Sequence, residues 1–158
     1  MDMLVVATAI ACAMMGGVFF AFSSFVMRAL AQMPPAQGIA AMQSINVVAV
    51  TPVFMSALFG TAVACLAVAV SAATEWRGVT SAYLLAGSLT YLIGTIAVTI
   101  VFNVPLNNAL AAVNPASGDA VALWTNYART WTAWNHIRAL SGVVAAGLLT
   151  IALLEVVP

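Results

Sequence analysis

A chain of 158 residues with 65% hydrophobic and only 5% charged residues cannot clothe a water-facing surface, for which about 25% charge is usual. Four basic residues (all Arg), four acidic residues and one His leave no net charge, which excludes an electrostatic nucleic-acid interface. With a mean hydropathy of +1.12, lipid must be the solvent for most of the exterior. Apolar stretches at about 3–27, 45–73, 81–102 and 137–157 each reach the roughly 20 residues needed to cross a bilayer. Helices close their backbone hydrogen bonds internally, and the Ala, Leu, Met and Gly content suits them better than barrel strands. The expectation is a single-domain, all-α integral membrane protein, a four-helix bundle. Abundant Ala and Arg without Lys suggest a bacterial source, hence the inner membrane.

In chain order, the first stretch begins Met1-Asp2-Met3, without the basic n-region of a signal peptide, and its apolar run is too long for one, so a retained helix is expected. Met33-Pro34-Pro35 ends it, because Pro cannot continue a helix and restricts the residue before it. Ala36 to Asn46 reads as a helical approach to the membrane, and Pro52 is expected to kink the second span. Cys12 and Cys65 sit in apolar runs, with no CxxC pairing or zinc spacing, and read as small core or lipid-facing residues. Glu75-Trp76-Arg77-Gly78 makes a tight link between spans two and three.

The third connection, Asn103 to His136, is the longest, and holds the turn cluster Asn114-Pro115-Ala116-Ser117-Gly118-Asp119, with Asp119 placed to N-cap the next helix. Beyond it Trp124, Trp131, Arg138 and Ala145 recur every seven residues, with Tyr127, Asn135 and Gly142 close to the same face. One long helix projecting from the membrane and continuing into span four explains that spacing. Arg28, Arg129 and Arg138 against Arg77 place the first and third connections in the cytoplasm by the positive-inside rule.

Topology then gathers the polar residues. In an array of four hairpin-linked helices, the end of the first, start of the second, end of the third and start of the fourth share one membrane face. Those places hold Ser23, Ser24 and Arg28; Gln43, Ser44 and Asn46; Asn103, Asn107 and Asn108; and Asn135, His136 and Arg138. Polar groups at such depth are costly unless they pair or line a hydrated cavity, so a site is expected at this end, against the competing reading of an interfacial belt with amides capping helix ends and Trp residues anchored in headgroups. One His and two separated Cys cannot supply the three or four ligands of a usual metal site. No cofactor is favoured, with haem held axially by His136 as the alternative. A positioned His can take a proton while Arg and amide donors stabilise the anion that forms; a His simply hydrogen-bonded at the interface is the competing reading of His136.

Gly16-Gly17-Val18-Phe19-Phe20-Ala21-Phe22-Ser23, Phe102-Asn103-Val104-Pro105-Leu106-Asn107-Asn108-Ala109-Leu110 and Trp131-Thr132-Ala133-Trp134-Asn135-His136-Ile137-Arg138 resemble the anthrone oxygenase-like (DUF1772) integral membrane family, across nearly the whole chain. The resemblance implies four membrane helices and, in fungal relatives, oxidation of anthrones to anthraquinones by O2 without a dedicated cofactor. The family pattern falls on Asn103, Pro105, Asn107, Trp134, Asn135 and Arg138. With that chemistry, His136 is the expected base and Arg138, Asn135 and Asn103 the oxyanion donors. Asn107, Asn46, Trp131, Trp134 and Tyr127 then bind a small hydrophobic aromatic substrate, with O2 as co-substrate.

A different class stays open: a non-catalytic membrane protein, as a haem- or quinone-binding electron-transfer subunit, a small carrier or a partner subunit. Gly60-x-x-x-Ala64 and Gly142-x-x-x-Ala146 offer small-residue faces for close helix approach, inside the chain or in a homo-oligomer. The gathering of polar groups at one end, without an inverted repeat, disfavours a carrier.

Overall fold

The computed structural model describes residues 2–155, and every regular element among them is helical. Helix α1 (Asp2–Ala31) is followed by the short α2 (Pro35–Val48), then α3 (Pro52–Thr74), α4 (Val79–Ala111) and α5 (Ala120–Leu154). Four of these, α1, α3, α4 and α5, are long and apolar enough to cross a membrane. Their outward faces carry exposed side chains such as Ile10, Phe20, Val63, Leu66, Ile93 and Leu140, a surface suited to lipid. The chain is an integral membrane helical bundle. Residues 156 and 157 of the expected fourth span lie outside the described residues.

Local chemistry sets the helix bounds. Pro35 opens α2 and Pro52 opens α3, positions where the missing N–H costs nothing. The expected kink at Pro52 is therefore a full break: α2 ends at Val48, and α3 starts afresh with the Thr51 hydroxyl accepting from the Phe54 N–H at 3.4 Å. At the far end of α4, Gln43 on α2 donates to the carbonyls of Leu110 and Val113, both at 2.9 Å, and so satisfies helix-terminal acceptors. Asp119 stands at the start of α5, but its side chain makes no cap bond there; the Leu123 N–H is bonded to its carbonyl instead. The third connection is short, because α4 runs to Ala111 and α5 begins at Ala120.

Two helices contain wide π turns. In α1 the turn covers Phe22–Val26, and the Met27 N–H reaches back to the Phe22 carbonyl. In α4 two such turns, Leu92–Ala97 and Thr99–Asn103, lie just before Pro105. Pro105 cannot bond the carbonyl four residues earlier, and the wide turn absorbs that loss without breaking the helix.

Helix α5 packs most extensively on α1, then on α4. The α1–α5 crossing is close because Gly16 meets Gly142: a Cβ at Gly142 would lie 2.6 Å from Gly16 Cα and 3.0 Å from the Cys12 carbonyl oxygen. Below this crossing Cys12, Met15, Leu58, Cys65, Tyr91 and Leu149 form part of the main core, with the two thiols 3.6 Å apart. A second cluster, including Met27, Ile39, Met42, Leu110, Trp124 and Tyr127, joins α2 to the N-terminal half of α5. The small-residue face at Gly142 thus serves packing within the chain, whereas Gly60 is exposed, with nothing within 4 Å of an added Cβ.

Gly142→Val should lower the thermal unfolding midpoint in detergent, costing about 1–3 kcal/mol or more through overpacking. Gly60→Val should melt with the wild type. Equal midpoints for all three proteins would show that the Gly16–Gly142 approach does not set α1 against α5.

Candidate functional site

Side chains from all five helices line one large cavity of about 620 Å³, open to the surface along one side where Val48, Val50 and Ile100 are exposed. Its walls are apolar and aromatic: Phe19 and Phe22 from α1, Met42 and Ile45 from α2, Phe54, Met55 and Phe59 from α3, and Trp131 from α5. Polar groups reach it at a few points, notably Asn46, Thr99, Asn107 and Arg138. A mostly apolar pocket of this size with a few placed polar groups is the usual form of a small-molecule site.

Arg138 carries the site's charge. It is 5% exposed, and no carboxylate pairs with it; among the described residues the salt bridge found is Arg77–Glu75, outside this site. Its Nη2 donates to Asn135 Oδ1 at 2.7 Å and its Nη1 to Thr99 Oγ1 at 3.4 Å. Nε is buried without a hydrogen-bond partner. The guanidinium carbon lies 4.4 Å from the Phe19 ring centre and 4.9 Å from that of Trp131, so two aromatic faces offset part of its desolvation.

Asn135 holds this cation in place. Its Nδ2 donates to the Phe19 carbonyl and to Ser23 Oγ, both at 2.7 Å, which uses both amide hydrogens and fixes Oδ1 toward Arg138. The π turn of α1 brings Ser23 into this bond. Asn103, fully buried on α4, donates from Nδ2 to the Trp131 carbonyl at 3.2 Å, while its Oδ1 has no partner. Asn107 Oδ1 accepts from the Tyr127 hydroxyl at 3.0 Å and from Trp131 Nε1 at 2.8 Å. One amide thereby fixes both aromatic side chains.

The structure brings Arg138, Asn107, Trp131 and Asn46 of the expected site to the cavity wall. Asn135 and Asn103 do not line it; with their amide nitrogens committed to α1 and α5, they position Arg138 and Trp131. Tyr127 is buried behind Asn107. Trp134 lies elsewhere, stacked on Phe102 with ring centres 3.6 Å apart. His136 is exposed and is not in the cavity wall, which corrects its grouping with Arg138: residues two apart on a helix are about 200° apart around the axis. Arg28 and Asn108 are likewise exposed. Among the described residues no three His, Cys, Asp or Glu side chains gather as a metal site. Sequence reasoning misses Thr99 and the α3 aromatics; for Phe54 and Phe59 no signal separates a cavity wall from a lipid-facing side chain.

Residues 53–148 match the family model described as anthrone oxygenase. The matched stretch holds Asn103, Asn107, Trp131, Asn135 and Arg138, while Phe19, Ser23 and Asn46 precede it. Neither the curated proteins nor the solved structures include a match.

Asn135→Leu should cost about 1.5–3 kcal/mol, the worth of a hydrogen bond to a charged group, read as a lower melting temperature in detergent. His136→Ala should melt with the wild type. A fully stable Asn135→Leu protein would show that Arg138 does not depend on this amide.

Proposed function

The chain belongs to the anthrone oxygenase family, and on that premise we propose that it is a membrane-embedded oxygenase acting with O2 on an anthrone- or quinol-type aromatic. The observation that carries the reading is a buried, carboxylate-free guanidinium at the wall of an aromatic cavity. Such a charge stabilises an oxyanion far more strongly than it would in water.

For an anthrone the balance is simple: a ring CH2 and O2 become a ring carbonyl and water. The ketone enolises, and its hydroxyl proton passes to water at the cavity mouth. No His, Asp or Glu lines the cavity to receive it, so the role first expected of His136 falls to solvent, with Arg138 favouring the ionised form. The electron-rich enolate transfers one electron to O2, and the resulting carbon radical and superoxide join in a C–O bond. Protonation gives a hydroperoxide. Loss of the remaining ring C–H proton with cleavage of O–O then yields the carbonyl and water. The protein's own residues bind the flat ring between aromatic walls, hold the oxyanion and keep the cavity apolar, where O2 dissolves well. A reaction without a resident cofactor is part of the proposal.

Oxygen uptake with an anthrone, measured in mild detergent or nanodiscs, tests the reading. Arg138→Gln should reduce kcat by roughly 10²–10³, as loss of an oxyanion donor does elsewhere. His136→Ala should turn over like the wild type. Full turnover by Arg138→Gln would sink the proposed role of the guanidinium, and a wild type inert toward anthrones and quinols would sink the oxygenase assignment.

A further inference from the structure

Away from the cavity wall, two reactive side chains meet. Cys12 on α1 and Cys65 on α3 are the chain's two cysteines. They stand 53 positions apart in sequence, yet their sulfurs are 3.6 Å apart and neither residue is exposed. An S–H···S contact is a weak hydrogen bond, and Ala or Val would fill such a place as well, so packing alone does not call for two thiols face to face.

The α1 half of the pair is firmly held. The Cys12 carbonyl oxygen sits at the glycine crossing, 3.0 Å from where a Cβ on Gly142 would lie. α3 packs on α1 less extensively than α5 does, so Cys65 is the side that can give. A disulfide needs the sulfurs to close from 3.6 Å to about 2.0 Å, a movement that side-chain rotation and a small shift of α3 can share. Phe19 and Leu58, in the cavity wall, are each seven residues from Cys12 and Cys65 on the same helices, about 10 Å along the axis. A small uncharged oxidant in that apolar space is separated from the thiols by two helical turns of core side chains, Met15 among them.

We propose that Cys12 and Cys65 form a redox modification site, a dithiol that hydrogen peroxide closes to a disulfide tying α1 to α3. One sulfur attacks the O–O bond; hydroxide leaves, takes the thiol proton as water, and a sulfenic acid remains. The second sulfur displaces the sulfenic hydroxyl, which leaves with the second thiol proton as another water. One peroxide is reduced to two waters while two thiols are oxidised to one disulfide. The contact decides the outcome: a sulfenic acid on either cysteine meets the other thiol before a second peroxide, and condenses instead of climbing to sulfinic acid. The bridge is neutral and suits an apolar core. Two thiolates around a monovalent metal ion would leave a net charge there, and among the described residues no third His, Cys, Asp or Glu joins them. The site stands apart from the oxygenase reading, and its test involves no turnover.

Full-length protein in mild detergent is reduced, freed of reductant and treated with hydrogen peroxide. Thiols are then counted by alkylation after unfolding in SDS, with the intact mass measured in parallel. The untreated chain should take two alkyl groups. The treated chain should take none, weigh two hydrogens less, and regain both thiols with dithiothreitol. Its melting midpoint should rise by at least about 4 °C, because the bridge closes a long loop in the unfolded chain. Cys12→Ala and Cys65→Ala should each abolish the rise; the thiol count on the wild type is read whether or not these variants fold. Two thiols still free after peroxide, or added oxygen that dithiothreitol does not remove, overturns the site. A bridge between two chains on a non-reducing gel overturns it as well. A bridge that leaves the midpoint unmoved overturns its role as a tie between α1 and α3.

Discussion

The seam between α1 and α5 is the constraint on which the rest of the structure depends. Gly16 and Gly142 let two backbones touch, and that approach brings the Phe19 carbonyl and the Ser23 hydroxyl within 2.7 Å of Asn135. Asn135 then has no freedom, and neither has the guanidinium it holds one turn later on the same face. A bulkier pair at the crossing would push the helices apart and cut the Asn135 bonds together. Burial of a polar amide is costly unless its partners are placed, and here the small-residue contact places them.

The cavity exists because the opposite side of the bundle does not close in the same way. α2 and α3 are separate helices, broken at residues 49–51, so α2 lies over the N-terminal half of α5 while α3 runs down the bundle. Irregular backbone is tolerated there because Thr51 and the turn bonds around Ala49 and Val50 satisfy its donors. The π turns of α1 and α4 widen those helices where they flank the Arg138 network, and Thr99, the first residue of one such turn, receives the guanidinium. Wide turns of this kind recur at functional sites, and here they share a level with the charged wall.

Much of this architecture is legible in the sequence because lipid makes polarity rare. With so few polar side chains, helix count and hairpin topology already place Ser23, Asn46, Asn103, Asn107, Asn135 and Arg138 at one end. The seven-residue recurrence of Trp124, Trp131, Arg138 and Ala145 marks the inward face of α5, with Asn135 and Gly142 beside it, and all six are buried. The same periodicity argues against His136, which falls on the far side of that helix; its chemistry, rather than its phase, put it in the expected site. Hydropathy also understates helix length. It stops the third span at Phe102, while α4 continues through Pro105 because a wide turn absorbs the missing N–H. The break before Pro52 is hidden in the sequence, since a kinked and a broken helix read alike when apolar residues continue on both sides. Which Phe residues face the cavity is hidden for a simpler reason: in a membrane, inside and outside are both apolar.

The scarcity of charge also explains why one Arg can matter so much. A carboxylate beside Arg138 would neutralise it and leave only a structural ion pair. Asp119 and Glu155, the acidic residues that flank its helix, are about 28 and 26 Å away along the axis at 1.5 Å per residue. The cation's surroundings are instead neutral: two aromatic faces, an amide oxygen and a hydroxyl. These soften the cost of burial without cancelling the charge, so its field would act on a ligand bound in the cavity more strongly than in bulk water. The proposed chemistry on an enolate and O2 would ask for little more than such a field, an apolar pocket and a path for one proton. A chain with almost no ionisable side chains to spare can meet those needs with a single buried guanidinium and the amides that orient it.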